Sequence, residues 1–232
     1  MHPLFTHVCV AFVHTCVWPL SSSFNTRFAR AAWFTKLPLR AILSSPARRA
    51  AETAMRMMAA YETEESKREA LYLRMVESSH PAGMSETCES MFETMGYSPL
   101  QKFFDADGGE QAFMDYGDRV CEEMGRVMNG PAFAETATEN DGTCIALFGH
   151  AVFLNAIAYK VAQAAGSSDE MKKFLLDMDL GETQGIWINL ETGECEHKKV
   201  EEEVAAKEEA VAELSEVAAE APVVEAAAEV VS

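Results

Sequence analysis

"CIALFGHAVFLNAIAY", residues 144–159, decides the fold. Cys144 to Gly149 form a short apolar run of the kind found in strands buried on both faces, and the apolar pattern that follows is too long for a strand. A strand that hands over at once to a helix is half of a βα unit. His150 stands at that handover, and the residue before it, Gly149, lets the backbone turn tightly there.

Upstream the same grammar repeats. "LRAILSS" from Leu39 reads as a buried strand and "SPARRAAETAMRMMAAY" as its helix, with Ala47, Ala50, Ala51, Ala54 and Met58 on one face. Ser45 falls at the N-cap and Pro46 at the first helical position, the places those residues prefer. "ALYLRMV" (70–76) predicts a second strand and "ESSHPAG" a loop. "SETCESMFETMG" predicts a helix with Ser85 as N-cap and Gly96 closing it. "YSPLQKFFDADGGE" and "PAFAETATENDG" read as loops on either side of the helix "QAFMDYGDRVCEEMGRVMNG", where Phe113, Val120, Met124 and Val127 share a face. After 144–165 come a short helix, "DEMKKFLLDM", and a hairpin, "GIWINLETGECEHKK", turning at Thr192-Gly193. The alternation implies an α/β three-layer sandwich, a largely parallel sheet flanked by helices.

The chain has 232 residues, 48% of them hydrophobic, enough to bury a sizeable core. Its net charge of −18 is uneven: residues 1–51 carry six Lys/Arg and no acid, whereas residues 200–232 carry ten Glu and one Lys. Such a field repels nucleic acid and anionic lipid, so a phosphate-handling pocket must be a local cationic exception. No run of 18 apolar residues reads as a membrane helix. The six cysteines form no C-x-x-C pair, which argues for a reduced compartment, with Cys144 as a small core residue.

Three segments follow. Residues 1–38 are atypical: "HVCVAFVHTCVWPL" is apolar, Ser and Arg follow, and no acid precedes Glu52, the composition of a targeting segment. The same stretch also reads as the first strand of the domain. Localisation is accordingly cytoplasmic or organellar. Residues 39–199 are the α/β domain. Residues 200–232, nearly all Ala, Glu and Val with a thin apolar stripe, read as a disordered or frayed, solvated tail, with a basic protein as the partner it would engage.

In open α/β sheets, ligands bind beyond the carboxyl ends of the strands, where helix N-termini offer free N–H groups. Arg48 and Arg49 open the first helix, where a cation opposes the helix dipole by roughly 0.3–1 kcal/mol. An anion held by Arg49, the Ser45 hydroxyl and the exposed N–H groups would resolve that conflict; Arg48 is the better candidate for pairing with Glu52. His150, at the other junction, would face the same crevice.

"ILSSPARRAAETA" resembles the second signature of the histidine phosphatase (phosphoglycerate mutase-like) superfamily, Ser-x-x-x-Arg-Ala followed by Thr-Ala on the same helix. "CIALFGHAVFLNAI" resembles that superfamily's second-histidine motif. The hairpin "GIWINL" is similar too, and the likeness spans roughly residues 39–198. It implies a pocket of two arginines and two histidines around a phosphoryl group, one histidine forming a phosphohistidine. Arg49 matches the second arginine, and His150 the second histidine, which stabilises charge on the phosphoryl oxygens. Glu77, with His80 as its rival, is placed to protonate the leaving oxygen. The first signature, a strand ending Arg-His-Gly, is the departure: no Arg-His pair occurs in the chain. "VCVAFVHT" offers His14 as nucleophile but Val13 in place of arginine. Either the first motif is degenerate but working, or the protein is a pseudoenzyme with an anion pocket, or its first segment has been replaced.

No metal-site, P-loop, dinucleotide or hydrolase-elbow pattern occurs, so neither metal nor organic cofactor is expected. Two functions follow as expectations. One is phosphomonoester hydrolysis, impaired by the missing arginine, on a phosphorylated small molecule or phosphoprotein. The other is a non-catalytic interaction scaffold that uses the α/β body and the acidic tail.

Overall fold

The structure, a computed structural model, describes residues 7–12, 37, 39–62, 72–80, 86–136, 144–181 and 184–198. The run Cys144–Gly149 is indeed a strand, β4, buried at every position. It lies inside a six-stranded sheet whose other members are β1 (His7–Phe12), β2 (Leu39–Ser44), β3 (Tyr72–Met75), β5 (Gly185–Asn189) and β6 (Cys195–Lys198). The order across the sheet is β3-β2-β4-β1-β5-β6. β1 to β4 run parallel, and β5 and β6 return antiparallel as the hairpin.

This order creates the crevice. β1 lies on one side of β4 and β2 on the other, so the chain crosses over β4 between them and the strand order switches there. The registers Phe12↔Gly149 and Ser44↔Phe148 bring the carboxyl ends of all three strands level.

Side-chain alternation gives β2 and β4 two apolar faces. Ile42, Ala146 and Phe148 are buried on the side of the sheet covered by α1 (Arg48–Glu62), which packs on β2 and β4. α1 buries Ala50, Ala54, Met57 and Tyr61, a stripe spaced by three or four residues. The Tyr61 hydroxyl donates to the Leu37 carbonyl at 2.7 Å and accepts from the Leu39 N–H at 3.2 Å, tying the end of α1 to the start of β2.

Ala41, Leu43, Ile145 and Leu147 face the larger core with Ile186 and Ile188 of β5. Over it lie α2 (Glu86–Met95), α3 (Leu100–Phe104), α4 (Gly109–Met128), α5 (Pro131–Thr136), α6 (Ala151–Ala164) and α7 (Asp169–Asp177). Phe153 of α6 is the hub, with the rings of Phe92, Phe113 and Tyr116 at 5.5, 5.6 and 5.4 Å. Burying an aromatic or aliphatic side chain of this size contributes about 1.5–3 kcal/mol, so this face dominates the core. The architecture is the expected three-layer α/β sandwich around a largely parallel sheet.

Residues 1–38, read either as a targeting segment or as holding the first strand, contribute β1, an apolar run suited to a central position where both ladder edges are paired. The chain divides into Met1–Lys198 and Lys199–Ser232; the acidic tail lies outside the described residues, as does the proposed N-cap Ser85. Three expectations need correction. α1 begins at Arg48, later than Pro46. Two stretches read as loops contain the short helices α3 and α5. The hairpin turn uses Gly193 at φ 72°, where an added Cβ would lie 2.8 Å from the Ser167 backbone.

Candidate functional site

β2 ends at Ser44, but the Ser45 N–H still donates to the Phe148 carbonyl at 2.8 Å, so Ser45 is held flush with β4 and fully buried. Its hydroxyl accepts from the Ala47 N–H at 3.3 Å. This side-chain turn bends the chain away from the sheet and delays the helix. It also keeps Ser45 on the floor of the crevice.

The two arginines that open α1 then diverge. Arg48 turns to solvent and pairs with Glu52 at 2.7 Å, with its side chain 90% exposed. The hydrogen bond and charge of Glu52 raise its pKa further. Arg49, also exposed, reaches over the sheet edge instead, and its Nε–H donates to His150 Nδ1 at 3.1 Å, a contact across 101 residues of sequence. The Thr53 hydroxyl donates to the Arg49 carbonyl at 3.0 Å and is buried, fixing the turn of helix that carries the guanidinium.

His150 follows β4 in extended backbone, at the N-cap of α6, and is only 5% exposed. Its side chain does not cap the helix, and no acid occupies the first turn. The first-turn N–H groups, which have no intrahelical acceptor, thus carry no side-chain cap. Gly149 is needed here for closeness rather than for an unusual backbone angle. A Cβ on it would stand 2.8 Å from Leu154 Cδ2.

The ring's other nitrogen, Nε2, lies 3.0 Å from Ser45 Oγ. The arginine Nε–H can only donate, so Nδ1 accepts and the neutral ring carries its proton on Nε2. Nε2 therefore donates to Ser45 Oγ, which also accepts from Ala47. Both lone pairs of that oxygen are then used, and its own proton is left to donate. Among the described residues none is recorded as accepting it. The cluster thus consists of a solvent-reachable guanidinium, a buried neutral imidazole and a buried hydroxyl with a proton to offer. It lies beside an uncapped helix start at the strand-order switch; the guanidinium, the hydroxyl and the helix N–H groups favour an anion, and the ring holds the first two in place.

The remaining sequence candidates are Glu77, His80 and His14. Glu77 begins a short 3₁₀ helix (Glu77–Ser79) after β3 and its side chain is exposed. No recorded contact joins it to Arg49, Ser45 or His150. The functional part of this turn is its backbone: the Glu77 and Ser78 N–H groups donate to the two carboxylate oxygens of Glu123 at 2.9 and 2.7 Å. Partial burial pushes the Glu123 pKa up, but the Ser78 side chain, the two N–H groups and Arg126 outweigh it, and the net shift is downward. His80 closes the 3₁₀ turn, its N–H on the Glu77 carbonyl at 3.0 Å. His14 lies outside the described residues. Glu123 and Thr53 were missed as supporting residues. Thr53 stood in the quoted signature without a role, and Glu123 gave no local signal because its partner is 45 residues away.

A cavity of about 500 Å³ opens at the far end of α6 between Cys121, Met124, Met128, Val161 and Leu190, with the Lys160–Asp118 pair at 2.7 Å on its wall. Burial pushes the Cys121 thiol up to about 11, which suppresses thiolate chemistry there. Among the described residues no group of three His, Cys, Asp or Glu is placed to hold a metal ion, and no helix is long and apolar enough to cross a membrane.

No protein-family model and no curated protein matches the chain. Among solved structures, a mycobacterial glucosyl-3-phosphoglycerate phosphatase in its native form is similar at a TM-score of 0.49 and 12% identity, over 83% of this chain and 97% of that one. A phosphoglycerate mutase from Bacillus anthracis is similar at 0.47 and 12%, over 81% and 89%. The Bacillus stearothermophilus protein YhfR is similar at 0.46 and 14%, over 82% and 94%. These are likenesses of the mixed α/β fold, in which a largely parallel sheet is flanked by helices.

Proposed function

We propose that this protein binds the phosphoryl group of a phosphomonoester, small-molecule or protein-borne, between Arg49, Ser45 and the start of α6, and that it is a weak phosphomonoester hydrolase. The observation that carries this reading is the 3.1 Å contact between Arg49 and His150 at the level ends of β2 and β4. It unites two segments that sequence resemblance assigns to one phosphate pocket. The Arg49 terminal N–H groups, the Ser45 hydroxyl and the α6 N–H groups supply donors to the non-bridging oxygens, and His150 fixes the guanidinium from behind. As charge builds on those oxygens in the transition state, donors already in place stabilise it without reorganisation.

Transfer to a histidine would make a P–N bond as the ester P–O bond breaks, the leaving oxygen taking a proton, and water would then cleave the P–N bond to release phosphate. His14 is the proposed nucleophile, following β1 by two residues in sequence, and Glu77 the proposed acid. The residue before His14 is Val13, so the guanidinium expected there is missing. Loss of one such donor typically costs about 10²–10³ in rate, which is why the activity is expected to be low.

The test is turnover of p-nitrophenyl phosphate by the full chain, with orthovanadate binding followed as a rise in melting temperature. Slow turnover that disappears in both Arg49→Ala and His150→Ala, with loss of the vanadate effect in Arg49→Ala, is the expected result. Neither turnover nor any anion effect in the wild-type chain would overturn the reading.

A further inference from the structure

The turn after β3 carries the residue proposed as leaving-group acid, and the sheet sets its position. β3 pairs with β2 at Ser44↔Met75, and the Val76 N–H donates to the Ser44 carbonyl at 2.8 Å. Val76 is thereby held beside the end of β2, as Ser45 is held beside Phe148 of β4, and Glu77 is the first residue past that line. Neighbouring strands lie about 4.8 Å apart, a distance a glutamate side chain spans, so the Glu77 carboxyl can reach the space above Ser45.

Reach alone does not aim it. The Glu77 side chain is exposed, and an acid misplaced by about 1 Å can lose 10²-fold in rate. Its backbone, however, is gripped. Glu123 of α4 commits both carboxylate oxygens to this turn, Oε1 accepting from the Glu77 N–H at 2.9 Å and Oε2 from the Ser78 N–H at 2.7 Å. These two N–H groups belong to the two peptide planes that flank the Glu77 α-carbon. Fixing both planes fixes φ and ψ of Glu77, and with them the direction in which its side chain leaves the backbone.

The rest of the turn is held from the same side. The Tyr116 hydroxyl donates to the Ser79 carbonyl at 3.4 Å, and the Ser78 hydroxyl donates to the Arg119 carbonyl at 3.5 Å. Residues 116, 119 and 123 follow one another by three and four, so α4 turns a single face to the acid-bearing turn. Within the turn, the Ser79 hydroxyl donates to the Val76 carbonyl at 2.6 Å. Water would satisfy two N–H groups at a partly exposed turn nearly as well. A carboxylate from a remote helix adds orientation, which water does not.

We propose that Glu123 is a positioning residue for Glu77: by binding both peptide planes around the Glu77 α-carbon, it aims the Glu77 carboxyl at the leaving oxygen of the bound phosphomonoester. This rests on the hydrolase reading above. The Glu77 carboxyl gives its proton to the ester oxygen as the P–O bond breaks and the P–N bond forms. Its carboxylate then takes a proton from the water that cleaves the P–N bond. Glu123 transfers no proton, and its loss leaves Arg49 and Ser45 in place.

The test is how kcat/KM of the full chain depends on the leaving group, over aryl phosphates from p-nitrophenyl phosphate, whose phenolate departs readily, to phenyl phosphate, whose phenolate needs the proton. This ratio covers the steps up to departure of the phenol and is blind to the later cleavage of the P–N bond. In Glu77→Gln the loss is expected to grow along the series, to about 10² for phenyl phosphate. Glu123→Gln should lose about tenfold to 10²-fold on phenyl phosphate and least on p-nitrophenyl phosphate. It should keep the rise in melting temperature with vanadate and add little to Glu77→Gln in the double variant. A joint that serves the fold alone would lower every substrate by one factor. Should Glu123→Gln fail to fold, Glu123→Asp, which keeps the charge but shortens the reach by one methylene, carries the same expectation. An unchanged leaving-group slope in either the Glu77 or the Glu123 variant, or full additivity of the two, would overturn the inference and leave the phosphoryl site standing. No turnover of any aryl phosphate by the wild-type chain would remove the hydrolase reading and the inference with it.

Discussion

Two helix starts sit at the carboxyl edge of the same sheet and are finished differently. After β3, the N–H groups of the 3₁₀ turn at Glu77 and Ser78 are filled by the carboxylate of Glu123, 2.9 and 2.7 Å away. After β4, the first turn of α6 has no side-chain cap and no acid, and the residue at its N-cap, His150, is engaged with Arg49 and Ser45 instead. The protein supplies its own anion to one start and leaves the other open beside a guanidinium. On the proposed function, the unfilled N–H groups next to a buried hydroxyl with a free proton are the ligand's place and the filled pair is a structural joint. Glu77, chosen from sequence for its position after a strand, falls on the filled side.

The comparison breaks most visibly at Arg49. Removing its guanidinium by Arg49→Ala should lower any phosphatase turnover by about 10²–10³ and abolish the rise in melting temperature with vanadate. Melting without anion should change little. If Arg49→Ala instead unfolds the protein while anion binding in the remaining folded fraction is unchanged, the open start is no ligand site.

Gly149→Ala tests how closely the open start is fitted. The new methyl would stand 2.8 Å from Cδ2 of Leu154, a fully buried side chain. Overpacking of this kind costs about 1–3 kcal/mol. It should also weaken vanadate binding by moving His150, which equilibrium denaturation and anion titration on the same variant would separate.

Glu123→Gln sharpens the other half of the contrast. It should cost about 1–2 kcal/mol, since two backbone donors lose a charged acceptor at a partly solvated site, and leave anion binding intact. The pH dependence carries a sign. The folded state holds the Glu123 pKa below its ordinary value near 4.5. Its contribution is therefore fully present above pH 4.5 or so and is lost as pH falls through the depressed folded value. Acid denaturation of Glu123→Gln should be correspondingly flatter in that range. Arg48→Ala should do least: its side chain is in water and paired with Glu52, so neither melting temperature nor anion affinity should move measurably.

Much of this was legible in the sequence because it rests on local chemistry. The apolar run 144–149 has the make-up of a buried strand, and the fourteen residues after His150 form the helix that periodicity predicts. Ser45 and Arg49 stood out because an opening turn with two cations needs a reason, and family resemblance supplied one. The start of α1 was misplaced because Ser45, a good N-cap by type, uses its hydroxyl for the turn at Ala47 and for the His150 ring. α3 and α5 span five and six residues, too short for a periodic stripe, although Pro131 at the first position of α5 was a usable signal. β1 was ambiguous because its apolar, acid-free surroundings match targeting segments as well as central strands. The tautomer of His150 and the grip of Glu123 on a distant turn arise only when the sheet brings remote residues together.

The central claim is that Arg49, Ser45 and the α6 N-terminus hold one anion between them. It is tested most directly by a crystal structure of the full chain with tungstate, whose heavy atom locates itself. The account requires the tungsten in the crevice at the ends of β2 and β4, its oxygens within about 2.7–3.2 Å of Arg49 Nη atoms, Ser45 Oγ and first-turn N–H groups of α6. Tungstate bound elsewhere, with the Arg49–His150 contact intact and the crevice filled by protein, would contradict it.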